Sequence, residues 1–155
     1  MTDNTNAQEF QLPAKPGPEH KLLDVFIGTW KAEGETKDGR TVSIQAMDSC
    51  EWLPGGYFLI HRTDARLGDD TYQSTEIMGY DAAQKAYFMR FFDSWGQTGT
   101  YQATVLNNTW TITGTSGRAT IVVSDDGNTL TAHWEMSPNG SDWQPWMDMT
   151  LTKNT

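Results

Sequence analysis

The chain has 155 residues, enough for one domain with a sizeable core, and a formal net charge of −9. A surface of this sign repels phosphate groups, which argues against nucleic acid and anionic membranes as partners. One cysteine excludes an intrachain disulfide. No run approaches the ~20 apolar residues that span a bilayer, and the first residues lack the pattern of a secretory signal. We therefore expect a cytoplasmic protein without membrane insertion.

Residues 1–19 are polar and rich in proline, which predicts a flexible N-terminal tail ahead of a single domain at 20–155. A short helix is predicted from residue 18 or 19 to Ile27. Its apolar stripe consists of Leu22, Leu23, Phe26 and Ile27. Gly28 ends this helix, because a residue without Cβ readily adopts the left-handed conformation.

From Trp30 onward apolar residues alternate with polar ones, which is the spacing of half-buried β-strands. We predict about ten strands, at 30–36, 41–52, 57–66, 71–80, 87–94, 98–106, 109–115, 119–124, 129–136 and 144–153, with a bulge near Met47 and Asp48. The turns are short, and no segment can form the helix of a parallel crossover. This pattern favours an all-β, antiparallel up-and-down barrel over a sandwich, with the short helix plugging one end.

Gly28-Thr29-Trp30, directly after a short helix, resembles the Gly-x-Trp signature of the lipocalin and wider calycin superfamily. The resemblance implies a lipocalin-like barrel whose Trp30 packs across the closed end, with Lys153 as the basic residue that covers it. The segments 51–58, 77–81, 92–95 and 134–149 are similar to an uncharacterised bacterial calycin-like family of unknown function. This similarity spans roughly residues 20–153.

A barrel of this size can hold one small ligand, so the direction of each side chain decides the site. One orientation of the third and fifth strands places Arg62 and Arg90 inside, where a ligand carboxylate would satisfy them. Fatty-acid-binding calycins use interior arginines in this way. The cavity would then be lined by Phe58, Phe88, Phe92, Trp95, Tyr101 and Trp134. Alternatively, both arginines face water or pair with neighbouring aspartates.

The opposite orientation places His61, Met89 and Asp93 inside. His61 and Asp93 would then be candidates for acid–base catalysis of the isomerase or cyclase type.

The histidines are scattered, and no His or Cys spacing matches a metal site. Some calycin-like barrels bind haem through one histidine, which makes His133 or His61 a weak alternative ligand; otherwise no cofactor is predicted. Cys50 is interpreted as a small buried apolar residue.

The leading hypothesis is a protein that binds a small hydrophobic or amphipathic ligand, which can carry a carboxylate. An enzyme on the same barrel and an interaction module filled by its own side chains are the alternatives. The sequence carries no signal for the oligomeric state.

Overall fold

The computed structural model describes residues 10–155 and shows a closed barrel of ten antiparallel strands. A short helix, α1 (Pro18–Lys21), continues into a 3₁₀ helix (Leu22–Phe26). The strands follow as β1 (Gly28–Thr36), β2 (Ser43–Trp52), β3 (Leu59–Leu67), β4 (Asp70–Asp81), β5 (Ala86–Asp93), β6 (Thr98–Leu106), β7 (Thr109–Thr113), β8 (Gly117–Val123), β9 (Thr129–Met136) and β10 (Gln144–Lys153). Their ends lie within two residues of the predicted ones, and the predicted all-β barrel is confirmed.

Each strand pairs with the next along the chain, and β10 returns to pair with β1, from Trp30 opposite Lys153 to Thr36 opposite Met147. Closure leaves none of the ten strands with a free edge, which removes the usual sites of edge-to-edge association. The predicted bulge near Asp48 is absent, since β2 keeps an unbroken register with both neighbours. The irregularity lies instead in β10, between Pro145 and Met147.

The N-terminal helical segment closes one end of the barrel. Leu23 and Phe26 are buried, whereas Leu22, predicted on the same stripe, is half exposed. The reason is the 3₁₀ geometry, which has three residues per turn and therefore aligns positions i and i+3. Trp30 is only 1% exposed, and its indole N–H donates to the Phe26 carbonyl at 2.9 Å. The Lys153 ammonium lies 5.4 Å from the centre of the Trp30 ring, as the resemblance implied.

The core lies mainly next to this plug, where buried side chains from all around the barrel meet. A second cluster fills the interior beside β1–β3, where Ala32, Ala46 and Ala65 leave space for Met149 and Tyr72. The small side chains on β1–β3 thus make room for larger side chains on the neighbouring strands β10 and β4.

The predicted N-terminal tail is described only from Phe10 onward; its residues 1–9 lie outside the described part. Within that part, the Tyr57 hydroxyl donates to the Ala14 carbonyl. Over residues 10–155, none of the helices has the length and apolar character needed to cross a bilayer.

Candidate functional site

A cavity of about 100 Å³ lies inside the barrel, next to the plug. Most of its wall is apolar. It is lined by Phe26, Trp30, Asp48, Cys50, His61, Glu76, Met78, Met89, Ile112, Ile121, Leu130, Trp134 and Leu151. The polar side chains are concentrated on the adjacent strands β2, β3 and β4, which makes one side of the cavity polar and the rest hydrophobic.

The strand register explains why three ionisable side chains meet here. His61 on β3 lies opposite Cys50 on β2 and opposite Glu76 on β4. Asp48 is two residues before Cys50 and therefore projects from the same face of β2. Residues directly opposite or diagonal on one face of a sheet come within reach of long side chains. Asp48, His61 and Glu76 together form the interior triad.

His61 lies between the two carboxylates of the interior triad. Its Nε2 is 3.1 Å from Oδ2 of Asp48, and its Nδ1 is 3.2 Å from Oε1 of Glu76. Only the imidazolium has two N–H donors, so this arrangement matches the charged form. Burial by itself lowers the pKa of His61, but the hydrogen bonds to Asp48 and Glu76 outweigh it and raise the pKa well above its ordinary value of 6.5.

Asp48 leaves one polar atom unsatisfied. Its side chain is only 10% exposed, and Oδ1 has no hydrogen-bond partner among residues 10–155, whereas Oδ2 faces His61. A buried acceptor without a partner typically destabilises a fold by ~1–3 kcal/mol, and more when it is charged. Because Asp48 is one of the residues that line the cavity, its unpaired oxygen is a candidate contact for a ligand.

Cys50 also lines the cavity and is 8% exposed, which agrees with its interpretation as a buried residue. Burial raises the pKa of the Cys50 thiol, so it stays protonated at neutral pH. It therefore contributes apolar surface rather than a nucleophile.

The predicted inward orientation of Arg62 and Arg90 is wrong. Arg62 is exposed on the outer face of β3 and pairs with Glu51 at 3.1 Å. Arg90 is exposed on β5, where it lies opposite Ile77. Alternation along each strand requires this, because buried Leu59 and Met89 occupy the inner positions of β3 and β5. Neither guanidinium reaches the cavity to hold a ligand carboxylate.

All three phenylalanines predicted to line the cavity lie outside it for the same reason. Phe58 is 43% exposed and Phe92 is 59% exposed. Phe88 packs against Phe58 with ring centres 6.1 Å apart, and both rings lie over Gly79 on the outside of the barrel. Their inward placement is therefore corrected.

The other predicted aromatic residues occupy three different positions. Trp134 lines the cavity. Tyr101 packs edge-on against Trp134 with ring centres 5.6 Å apart, on the inner face of β6 but not among the lining residues. Trp95 is 53% exposed in the β5–β6 turn, where its indole N–H donates to the Thr71 carbonyl at 3.1 Å. Of the three, only Trp134 is among the lining residues.

His61 and Asp93, the predicted acid–base pair, are not hydrogen-bond partners. The carboxylate of Asp93 accepts backbone N–H groups of Trp95 and Gln97 at 3.0 and 2.8 Å, which orders the β5–β6 turn. His61 has both ring nitrogens on carboxylates, so it has no free lone pair to act as a base.

Sequence reasoning missed Asp48 and Glu76. Their signal is a carboxylate two residues from an apolar core residue on the same strand face.

The residues present do not fit the haem alternative. His133 is half exposed on the outer face of β9 and pairs with Asp148, away from the cavity. His61 offers no free nitrogen, and the cavity is smaller than the ~300–1,000 Å³ of typical ligand pockets. Within residues 10–155, no group of three or more His, Cys, Asp or Glu is arranged to hold a metal ion.

Comparison with solved structures shows similar barrels. The protein Rv2717c from M. tuberculosis has a TM-score of 0.67 at 13% identity, covering 90% of this chain and 99% of that one. An S-type phycobiliprotein lyase from Guillardia theta has a TM-score of 0.64 at 5% identity, covering 88% of this chain and 93% of that one. At such identities the likeness concerns the fold alone.

Sequence comparisons place the chain in a family. No curated protein matches it at a significant level. A family model described as a protein of unknown function (DUF1579) matches residues 15–153, and the chain therefore belongs to that family.

Proposed function

We propose that this protein binds a small, mostly apolar molecule inside its barrel. The observation that carries the proposal is the cavity itself, which has a largely hydrophobic wall and one polar side. Close-packed interiors rarely leave such space, and an apolar cavity of about 150 Å³ in another protein binds benzene. A cavity of about 100 Å³ therefore accepts a molecule of a few heavy atoms, or one end of a longer molecule.

The presence of this cavity favours a binding protein over the interaction module, whose barrel would be filled by its own side chains. The acid–base enzyme has weaker support. Both nitrogens of His61 are hydrogen-bonded to carboxylates, and the carboxylate of Asp93 accepts backbone N–H groups of the β5–β6 turn. A carboxylate on the ligand loses its expected anchors, since Arg62 and Arg90 lie outside.

We also propose that the barrel is a calycin. Support comes from Trp30 at the closed end, its hydrogen bond to the plug, and the ammonium of Lys153 over its ring. A cytoplasmic location and the absence of nucleic-acid partners stay predictions from composition and charge.

The binding proposal is tested with 1-butanol, a small neutral probe, by ligand-observed NMR and by the fluorescence of the tryptophans that line the cavity. Ile121→Phe adds volume where Ile121 lines the cavity, whereas Ile60→Phe makes the same exchange on β3 beyond the lining residues. We expect saturable binding to the wild type and to Ile60→Phe, with at least about tenfold weaker binding to Ile121→Phe, because the added ring occupies the cavity. Equal affinity of the two variants for 1-butanol would overturn the proposal, as would a wild type that shows saturable binding neither of 1-butanol nor of a charged probe with the same four-carbon chain.

A further inference from the structure

We propose that the cavity selects ligands that carry a protonated amine, and that Oδ1 of Asp48 is the atom that receives it. This inference rests on the proposed binding function and specifies its ligand class. Oδ1 of Asp48 is a buried carboxylate oxygen that has no hydrogen-bond partner in residues 10–155, and Asp48 lines the cavity.

The charges around the cavity favour a cation. Asp48 and Glu76 contribute two carboxylates, and His61 contributes one imidazolium held between them. The lining residues include no lysine or arginine, so the wall keeps an excess of one negative charge. A ligand ammonium compensates this excess, whereas a ligand carboxylate increases it.

The hydrogen-bonding groups of the interior triad also favour a ligand that is a donor. Oδ1 of Asp48 is an acceptor, and His61 already uses both of its N–H groups on carboxylates. A ligand therefore has to bring the donor, and an ammonium gives the shorter and stronger charge-assisted bond.

The remainder of the wall suits the apolar part of such a molecule. Trp30, Phe26 and Trp134 contribute aromatic surface, and a cation is attracted to aromatic faces within about 6 Å. The site therefore resembles an amphipathic receptor, with one anionic contact at the interior triad and hydrophobic contacts elsewhere.

The test compares three probes with the same four-carbon chain: butylamine, 1-butanol and butyrate, near neutral pH at fixed ionic strength. The wild type should bind butylamine most tightly, 1-butanol less tightly and butyrate least. Equal affinity for butylamine and 1-butanol would overturn the inference and would mean that water already satisfies Asp48. Tightest binding of butyrate would also overturn it. If none of the three probes binds, the binding function itself fails.

Asp48→Asn keeps the side-chain shape but removes the charge. We expect butylamine affinity to fall about tenfold or more, as for the loss of a charge-assisted hydrogen bond, while 1-butanol affinity changes much less. The matched control is Asp64→Asn, the same charge change at an exposed position on β3, which should leave all affinities unchanged. An Asp48→Asn protein that folds, by its near-ultraviolet circular dichroism, and keeps the full preference for butylamine contradicts the inference. If that variant does not fold, the ranking of probes by the wild type still decides.

Discussion

At the scale of single residues, His61 links the interior triad to the pH dependence of stability. Its pKa in the folded protein is raised, so its contribution to stability is fully present below about pH 6.5, its unfolded value. That contribution is lost as the pH rises through the higher folded pKa. The buried Cys50 thiol, whose pKa is also raised, gives the same trend above its unfolded value near 9.0.

We therefore predict that His61→Gln is less stable than the wild type at pH 6, and that the difference shrinks as the pH becomes alkaline. Melting temperatures by circular dichroism from pH 6 to 10 measure it. Comparing the two proteins at each pH removes the trends that they share. A difference that is constant or grows with pH would show that His61 is not held as an imidazolium by its two carboxylates.

At the scale of elements, the approach of β1 to β10 depends on Gly34. A Cβ at this position would lie 2.0 Å from the carbonyl oxygen of Asp148 and 2.6 Å from the sulfur of Met149. The Met149 side chain can rotate, but the backbone oxygen can move only with its strand. Glycine is therefore required here for the close contact that closes the barrel.

Gly34→Ala should lower the free energy of unfolding by roughly 1–3 kcal/mol or more, the usual range for forced overpacking. Urea denaturation with a tryptophan signal measures it. Glu33→Ala, at the neighbouring exposed position of β1, is the control and should stay within about 0.5 kcal/mol of the wild type. Equal stability of the two variants would show that β1 and β10 do not approach so closely.

At the scale of the whole molecule, closure of the sheet depends on β10. This strand pairs with β9 and with β1, and it is the last strand of the chain. Without β10, its two partners β9 and β1 would each have an unpaired edge, and the cavity would lose Leu151 from its wall.

A chain ended after Trp143 should therefore lose cooperative thermal unfolding and associate in solution. Circular dichroism melts and size-exclusion chromatography with light scattering detect both changes. The full-length protein at the same concentration is the reference. A truncated monomer that melts cooperatively close to the full-length temperature would mean that the barrel does not need closure by β10.

The sequence by itself determined the elements of this fold. Two-residue alternation, short turns and the helical spacing before Gly28 predicted ten strands and a plug, because these patterns are local and act within a few residues. His61 was also identified from sequence as an interior candidate, as one of two possible orientations of β3.

Only the tertiary structure decided which orientation holds and which residues meet. β3 and β5 carry apolar side chains on both faces, so alternation alone could not distinguish Phe58 from Leu59 or Arg90 from Met89. The partners of His61 lie 13 and 15 residues away along the chain. They come together through the register of three paired strands, and register is a property of the closed sheet rather than of any one segment.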